Sequence, residues 1–145
     1  MEIELSVIDF QSPLYKQVLA LRNEILRKPL GLDLYEEDLS EEKNQYIIVA
    51  LEHQKVLACL MIQIEDKDTV KLRQMAVDTK IQKKGLGSTL MQYAETFCSL
   101  NEYNIIMLHA RKTAILFYEK LGYTIVGHEF LEVGIPHFKM QKVLV

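Results

Sequence analysis

The segment from Val70 to Leu90 constrains the chain most. A strand-like run ending Met75-Ala76-Val77-Asp78 leads into Gln82-Lys83-Lys84-Gly85-Leu86-Gly87-Ser88, and from Gly85 onward Leu86, Leu90, Ala94 and Phe97 recur at helical spacing. A glycine-rich turn that opens a helix presents backbone N–H groups with no intrahelical acceptor, and the helix dipole adds partial positive charge there. Such a turn suits a pyrophosphate. Two better-known phosphate loops do not fit. A nucleotide P-loop needs four residues between its glycines and a Lys-Ser/Thr pair after them, but one residue separates Gly85 from Gly87 and Ser88 follows. A dinucleotide fingerprint needs a small residue where Leu90 stands, inside a βαβ unit that the surrounding sequence does not suggest. A lone Gly-x-Gly is weak evidence, since a tight turn with solvated lysines accounts for it equally well.

The rest of the chain reads as alternating strands and helices. Glu2 to Asp9 predicts a strand, and Ser12-Pro13 opens a helix with Leu14, Val18, Leu21 and Ile25 on one face, ending near Lys28-Pro29. The acidic stretch Gly31 to Asn44, with Glu36, Glu37, Asp38, Glu41 and Glu42, reads as a solvated loop with a short helix. Tyr46 to Glu52, Lys55 to Glu65 and Val70 to Val77 predict an antiparallel meander. Ile105 to Leu108 predicts a buried strand. Ala114, Phe117, Tyr118 and Leu121 then share a helical face that Gly122 terminates, and strands close the chain near Tyr123 to Glu132 and Pro136 to Val143. The class is α+β, without repeats.

Length and charge narrow the functions. At 145 residues, with 49% hydrophobic and 26% charged, the chain predicts one globular domain over 1–145. A net charge of -3 with scattered basic residues argues against nucleic acid as partner. No basic start followed by a long apolar run is present, and no apolar run is long enough to cross a bilayer, so the expectation is cytoplasmic with no membrane partner. Cys59 and Cys98 have no neighbours at metal-ligand spacing, so two buried thiols and no metal are expected.

The glycine turn gains weight from Ala114-Ile115-Leu116-Phe117-Tyr118-Glu119-Lys120-Leu121-Gly122-Tyr123 downstream. Gln-x-x-Gly-x-Gly after a strand, followed by this segment, resembles motifs A and B of the GNAT superfamily. The resemblance is strongest from about residue 70 to 125. Leu21-Arg22 with Pro29-Leu30-Gly31, and Phe130-Leu131-Glu132-Val133-Gly134-Ile135-Pro136-His137, look like the ElaA/YjcF-type branch. The resemblance implies the acyl-CoA N-acyltransferase fold: a mixed, mostly antiparallel sheet of about six to seven strands, flanked by about four helices and splayed at its two central strands. It also implies acetyl-CoA as co-substrate and an amine acceptor, and because the family often dimerises, a homodimer is expected.

By the same resemblance, the amides of Lys83, Lys84, Gly85, Leu86, Gly87 and Ser88, with Gln82, hold the pyrophosphate. Met75, Ala76 and Val77 line the pantetheine arm as an added strand would, and a main-chain N–H near Val77 polarises the acetyl carbonyl. Arg111, Ala114 and Phe117 join the cofactor contacts. Tyr118 matches the family's general-acid tyrosine, and a phenol with pKa about 10 can protonate a departing thiolate. The base stays open between His109 and His137; a lone histidine is more often a hydrogen-bonded structural one, and His137 gains from the branch resemblance, in which Gly-Ile-Pro-His recurs. Glu132 and Arg22 are weaker candidates for the acceptor pocket, and for Arg22 a surface salt bridge is expected instead. Two positions depart from the family pattern: Arg111 stands where many members carry asparagine, and Arg73-Gln74 where several carry a glutamate base.

A metabolite amine is the expected acceptor. The alternatives are a noncatalytic acyl-CoA-binding sensor or interaction module, a protein or peptide amine acetyltransferase, and an aminoglycoside-modifying enzyme using the acidic Glu36 to Glu42 segment as its pocket.

Overall fold

The computed structural model describes residues 2–81 and 85–144. Its strands are β1 (Glu4–Ile8), β2 (Tyr46–Glu52), β3 (Lys55–Ile64), β4 (Thr69–Val77), β5 (Ile105–Arg111), β6 (Thr124–Glu132) and β7 (Ile135–Val143), and its α-helices are α1 (Tyr15–Arg22), α2 (Leu86–Leu100) and α3 (Ile115–Lys120). The strands form one seven-stranded sheet in the order β1-β2-β3-β4-β5-β7-β6. The described residues group into two compact units, one within 1–63 and 74–94, the other within 64–73 and 95–145.

In the first unit, β2 and β3 are buried on both faces, so they read as near-continuous apolar runs rather than alternating ones. They pair antiparallel from Tyr46↔Ile62 to Glu52↔Lys55 through a two-residue turn in which His53 and Gln54 have φ of 49° and 64°. Positive φ at both positions gives the twist that a tight hairpin needs. Tyr15 and Val18 of α1 pack with Ile47, Val49, Leu51, Val56, Cys59, Met61 and Ala76 in one apolar cluster. The sequence predicts a single helix to Lys28, but α1 stops at Arg22. A π-helical turn, Asn23–Arg27, and a 3-10 turn, Lys28–Leu30, follow it. The wider turn begins at Asn23, which is buried and whose Oδ1 accepts the Leu34 amide at 2.8 Å. Among the described residues three α-helices accompany the seven strands, in keeping with the expected fold.

In the second unit, β4 and β5 pair parallel from Thr69↔Ile105 to Leu72↔Leu108. β5 pairs antiparallel with β7 from Ile105↔Val143 to Arg111↔His137. Alternation then sorts the side chains: Ile106, Leu108 and Ala110 are buried on one face of β5, and Met107, His109 and Arg111 lie on the other. β6 and β7 are joined through Val133 and Gly134, with φ of 45° and 74°, and their pairing is interrupted between Val126↔Lys139 and Phe130↔His137. Across that gap β6 advances four residues while β7 advances two, a bulge containing Gly127 at φ 86°.

Both cysteines are free and buried, and burial pushes each thiol up to about 12. Neither is a nucleophile at neutral pH.

Candidate active site

Two sets of functional residues are built separately, one in each unit.

The first set runs from the end of β4 into α2. Gln74 takes a φ of 56°, a left-handed residue inside a strand, and Met75, Ala76 and Val77 follow it. The end of the strand is fixed where Asp78 N–H donates to the Leu57 carbonyl at 2.8 Å. Gly85 has φ 84°, and its carbonyl accepts the Thr89 amide at 2.9 Å, which closes the first turn of α2. Helix geometry leaves the N–H groups of Leu86, Gly87 and Ser88 unused within that turn. A Cβ at position 85 would meet no atom within 4 Å, so the glycine is there for its backbone angle and not for space. Gln82, Lys83 and Lys84 lie outside the described residues.

The acidic segment and Arg22 differ from expectation. Arg22 is buried in the first unit, where Nη1 and Nη2 donate to Glu42 Oε1 and Oε2 at 2.7 and 2.8 Å. Glu42 is 4% exposed and also accepts the Tyr15 hydroxyl at 2.6 Å, so neither member is a surface group or open to an acceptor. Burial, then the Glu42 carboxylate, pushes the Tyr15 phenol up. Arg27 engages Glu37 through Nε at 2.6 Å and reaches Gln74 Oε1 from Nη2 at 3.3 Å. Glu37 and Glu42, two of the six acidic side chains from Gly31 to Asn44, are thus paired within the chain, against the expectation of a solvated acidic loop.

The second set lies in the other unit. Arg111 ends β5, Ala114 precedes α3, and Phe117 and Tyr118 are half-buried on α3, with ring centroids 5.0 Å apart and planes at 80°. The Tyr118 ring also meets Tyr123 edge-on at 6.0 Å. Burial raises the Tyr118 phenol above its ordinary value, so it holds its proton at neutral pH. Tyr123 is anchored: its hydroxyl donates to Glu95 at 2.9 Å, and Lys142 donates to Glu95 at 2.8 Å and to the Leu121 carbonyl at 2.7 Å.

On the face of β5 that carries His109 and Arg111, Glu132 brings the two candidate histidines together. Its Oε1 is 2.9 Å from His109 Nδ1, and its Oε2 is 3.7 Å from His137 Nε2. Phe130 packs edge-on to His109 at 4.9 Å and stacks on His137 at 6.0 Å. His137 is 5% exposed, and its Nδ1 lies 2.7 Å from the Ile135 carbonyl. Burial alone would raise the Glu132 carboxyl, but the hydrogen bond and charge of His109, then the charges of His137 and Lys71, outweigh it and hold it below the usual range. The sequence ranked Glu132 as a weak pocket residue because its link to both histidines depends on the β5, β7 and β6 registers, which no local spacing encodes. Among the described residues no cluster of His, Cys, Asp or Glu could hold a metal ion, and no helix is long and apolar enough to cross a membrane.

The first unit contains a helix start with first-turn amides unused by the helix, and the second unit separately contains a half-buried phenol that keeps its proton and a histidine held by a carboxylate. A family model described as an acetyltransferase (GNAT) domain matches residues 15–144. The chain is 28% identical over 129 residues to YjcF of Bacillus subtilis, an uncharacterised N-acetyltransferase, covering 88% of this chain and 91% of that one. The crystal structure of Escherichia coli ElaA superposes with a TM-score of 0.80 at 18% identity, covering 97% of this chain and 99% of that one. A GNAT family acetyltransferase from Elizabethkingia anophelis with acetyl-CoA bound superposes with a TM-score of 0.73 at 16% identity over 98% of both chains. The chain belongs to the GNAT acetyltransferase family, and it is an N-acetyltransferase.

Proposed function

We propose that the protein transfers the acetyl group of acetyl-CoA directly to a primary amine of a small metabolite, with both substrates bound together. The observation that carries this reading is the left-handed Gly85 opening the 15-residue α2, which leaves first-turn amides free for a pyrophosphate. The Elizabethkingia anophelis relative, which has the same fold, holds acetyl-CoA. Gln82, Lys83 and Lys84 would add polar contacts, and the main chain of Met75, Ala76 and Val77 would bond the pantetheine arm. Arg111, Ala114 and Phe117 complete the cofactor contacts in this reading.

The chemistry needs a neutral amine, a stabilised oxyanion and a proton for the thiolate. A main-chain N–H near Val77 polarises the acetyl carbonyl as charge builds on its oxygen. Tyr118 donates its proton to the departing sulfur and is reprotonated from solvent. His109 or His137 takes the proton that the substrate ammonium must lose. The engagement of Glu37 and Glu42 by arginines counts against an acidic aminoglycoside pocket in the 36–42 stretch.

A thiol-release assay with acetyl-CoA across a panel of small amines tests the reading. Turnover is expected with at least one amine, and Tyr118→Phe is expected to lower kcat by about 10²-fold or more while acetyl-CoA affinity by calorimetry stays within about threefold. No uptake of acetyl-CoA by the wild type would end the proposal.

A further inference from the structure

We infer that Glu132 is a positioning residue that fixes His109 with its proton on Nδ1, which makes His109 Nε2, and not His137, the acceptor of the substrate ammonium proton. The inference rests on the acetyl-transfer reading above and decides between its two candidate bases.

The assignment follows from which atoms can donate. An ionised carboxylate only accepts hydrogen bonds, so the 2.9 Å contact from Glu132 Oε1 requires the proton on His109 Nδ1. That proton stays in place whether the ring is neutral or cationic, and Nε2 is then the nitrogen that gains and loses a proton. His137 is placed differently. A backbone carbonyl also only accepts, so the Ile135 contact at 2.7 Å puts a proton on His137 Nδ1 and leaves its Nε2 toward Glu132 at 3.7 Å. That ring is 5% exposed and stacked on Phe130, whereas the His109 side chain keeps 24% of its surface. A buried ring aimed at a carboxylate supports that carboxylate, while the more open ring can meet a substrate.

The proton count closes. The ammonium gives one proton to His109 Nε2, and the imidazolium formed is stabilised by the Glu132 charge before it releases that proton to solvent. The neutral amine forms the N–C bond, the C–S bond breaks, and the second nitrogen proton balances the one that Tyr118 gives to sulfur. The charged groups around His109 are Glu132 on β6, His137 and Lys139 on β7, Arg111 on β5 and Lys71 on β4, and Lys139 is its register partner. Glu129 is engaged by Lys112 at 2.9 Å, which leaves Glu132 as the carboxylate in contact with the histidines.

Two measurements on the full-length protein test this. Long-range proton–nitrogen NMR of histidine-labelled wild type, recorded without substrate at a pH where the ring is neutral, is expected to show His109 with its proton on Nδ1. A proton on Nε2 overturns the inference. In parallel, the acid limb of kcat/KM against pH is expected to move to lower pH in Glu132→Gln, because the imidazolium formed in the reaction loses its facing carboxylate. It is expected to vanish in His109→Gln and to keep its midpoint in His137→Asn. A limb unmoved in Glu132→Gln, or abolished by His137→Asn alone, also overturns it. If no amine supports wild-type turnover, the acetyl-transfer reading fails, and the NMR result still decides the tautomer by itself.

Discussion

Arg22 and Glu42 meet side by side in the interior of the first unit, two nitrogens on two oxygens at 2.7 and 2.8 Å, with side-chain exposures of 1% and 6%. The pair ties the end of α1 to a 3-10 turn 20 residues later, Ser40–Asn44, and Tyr15 adds a third bond to the same carboxylate. A buried pair of this kind adds little over a well-packed apolar replacement, but removing one partner strands the other. Arg22→Met is therefore expected to cost about 3–5 kcal/mol, and Arg22→Met with Glu42→Leu to recover much of that loss, as read from urea midpoints.

Glu95 holds two donors at once, the Tyr123 hydroxyl and the Lys142 ammonium. Glu95→Ala leaves a buried phenol without its acceptor and is expected to cost about 1–3 kcal/mol, whereas Glu95→Gln, which can still accept, costs less. Denaturant curves for the two variants separate the hydrogen bond from the charge.

Gly85 is strained for any other residue because of its φ of 84°, while its Cβ direction is open. Gly85→Ala is expected to lose about 1 kcal/mol of stability. The larger effect is on binding: acetyl-CoA affinity is expected to fall about tenfold or more by calorimetry as the turn shifts toward negative φ.

The acid stability of the protein depends partly on Glu132. Its folded pKa lies below the ordinary 4.5, so its contribution is full above that value and disappears as pH falls through the lower folded one. Glu132→Gln has no such proton to take up, and its urea midpoint is expected to decline less than that of the wild type between about pH 5 and about pH 3.

How much of this was legible in the sequence depends on the range of each interaction. The β2–β3 hairpin, α2 after Gly85 and the stop at Gly122 rest on local spacing and backbone angle, and the sequence places all three within a residue or two. The motif segments at 82–88 and 114–123 carry the family by themselves. The turn at Gln74 and the π-helical turn after Arg22 were not legible, because tertiary contacts impose both: Arg27 and Cys59 on Gln74, Glu42 on Arg22. An arginine 20 residues from its glutamate reads as surface until the fold closes over both. The histidine pair was found by residue type, but the carboxylate that orders it comes from a third strand.

The interruption in β6 has a consequence for how this chain tolerates insertions and deletions. The side on which Glu132 lies is set by the turn at Val133 and Gly134, which pairs Glu132 with Ile135 and Phe130 with His137, and the two extra residues between Val126 and Phe130 are taken up in the bulge. Losing one or two residues from Gly127 to Glu129 would shorten the bulge and leave the carboxylate beside both rings. Viable relatives of this protein are therefore expected to differ in length here while keeping the spacing from Phe130 to His137.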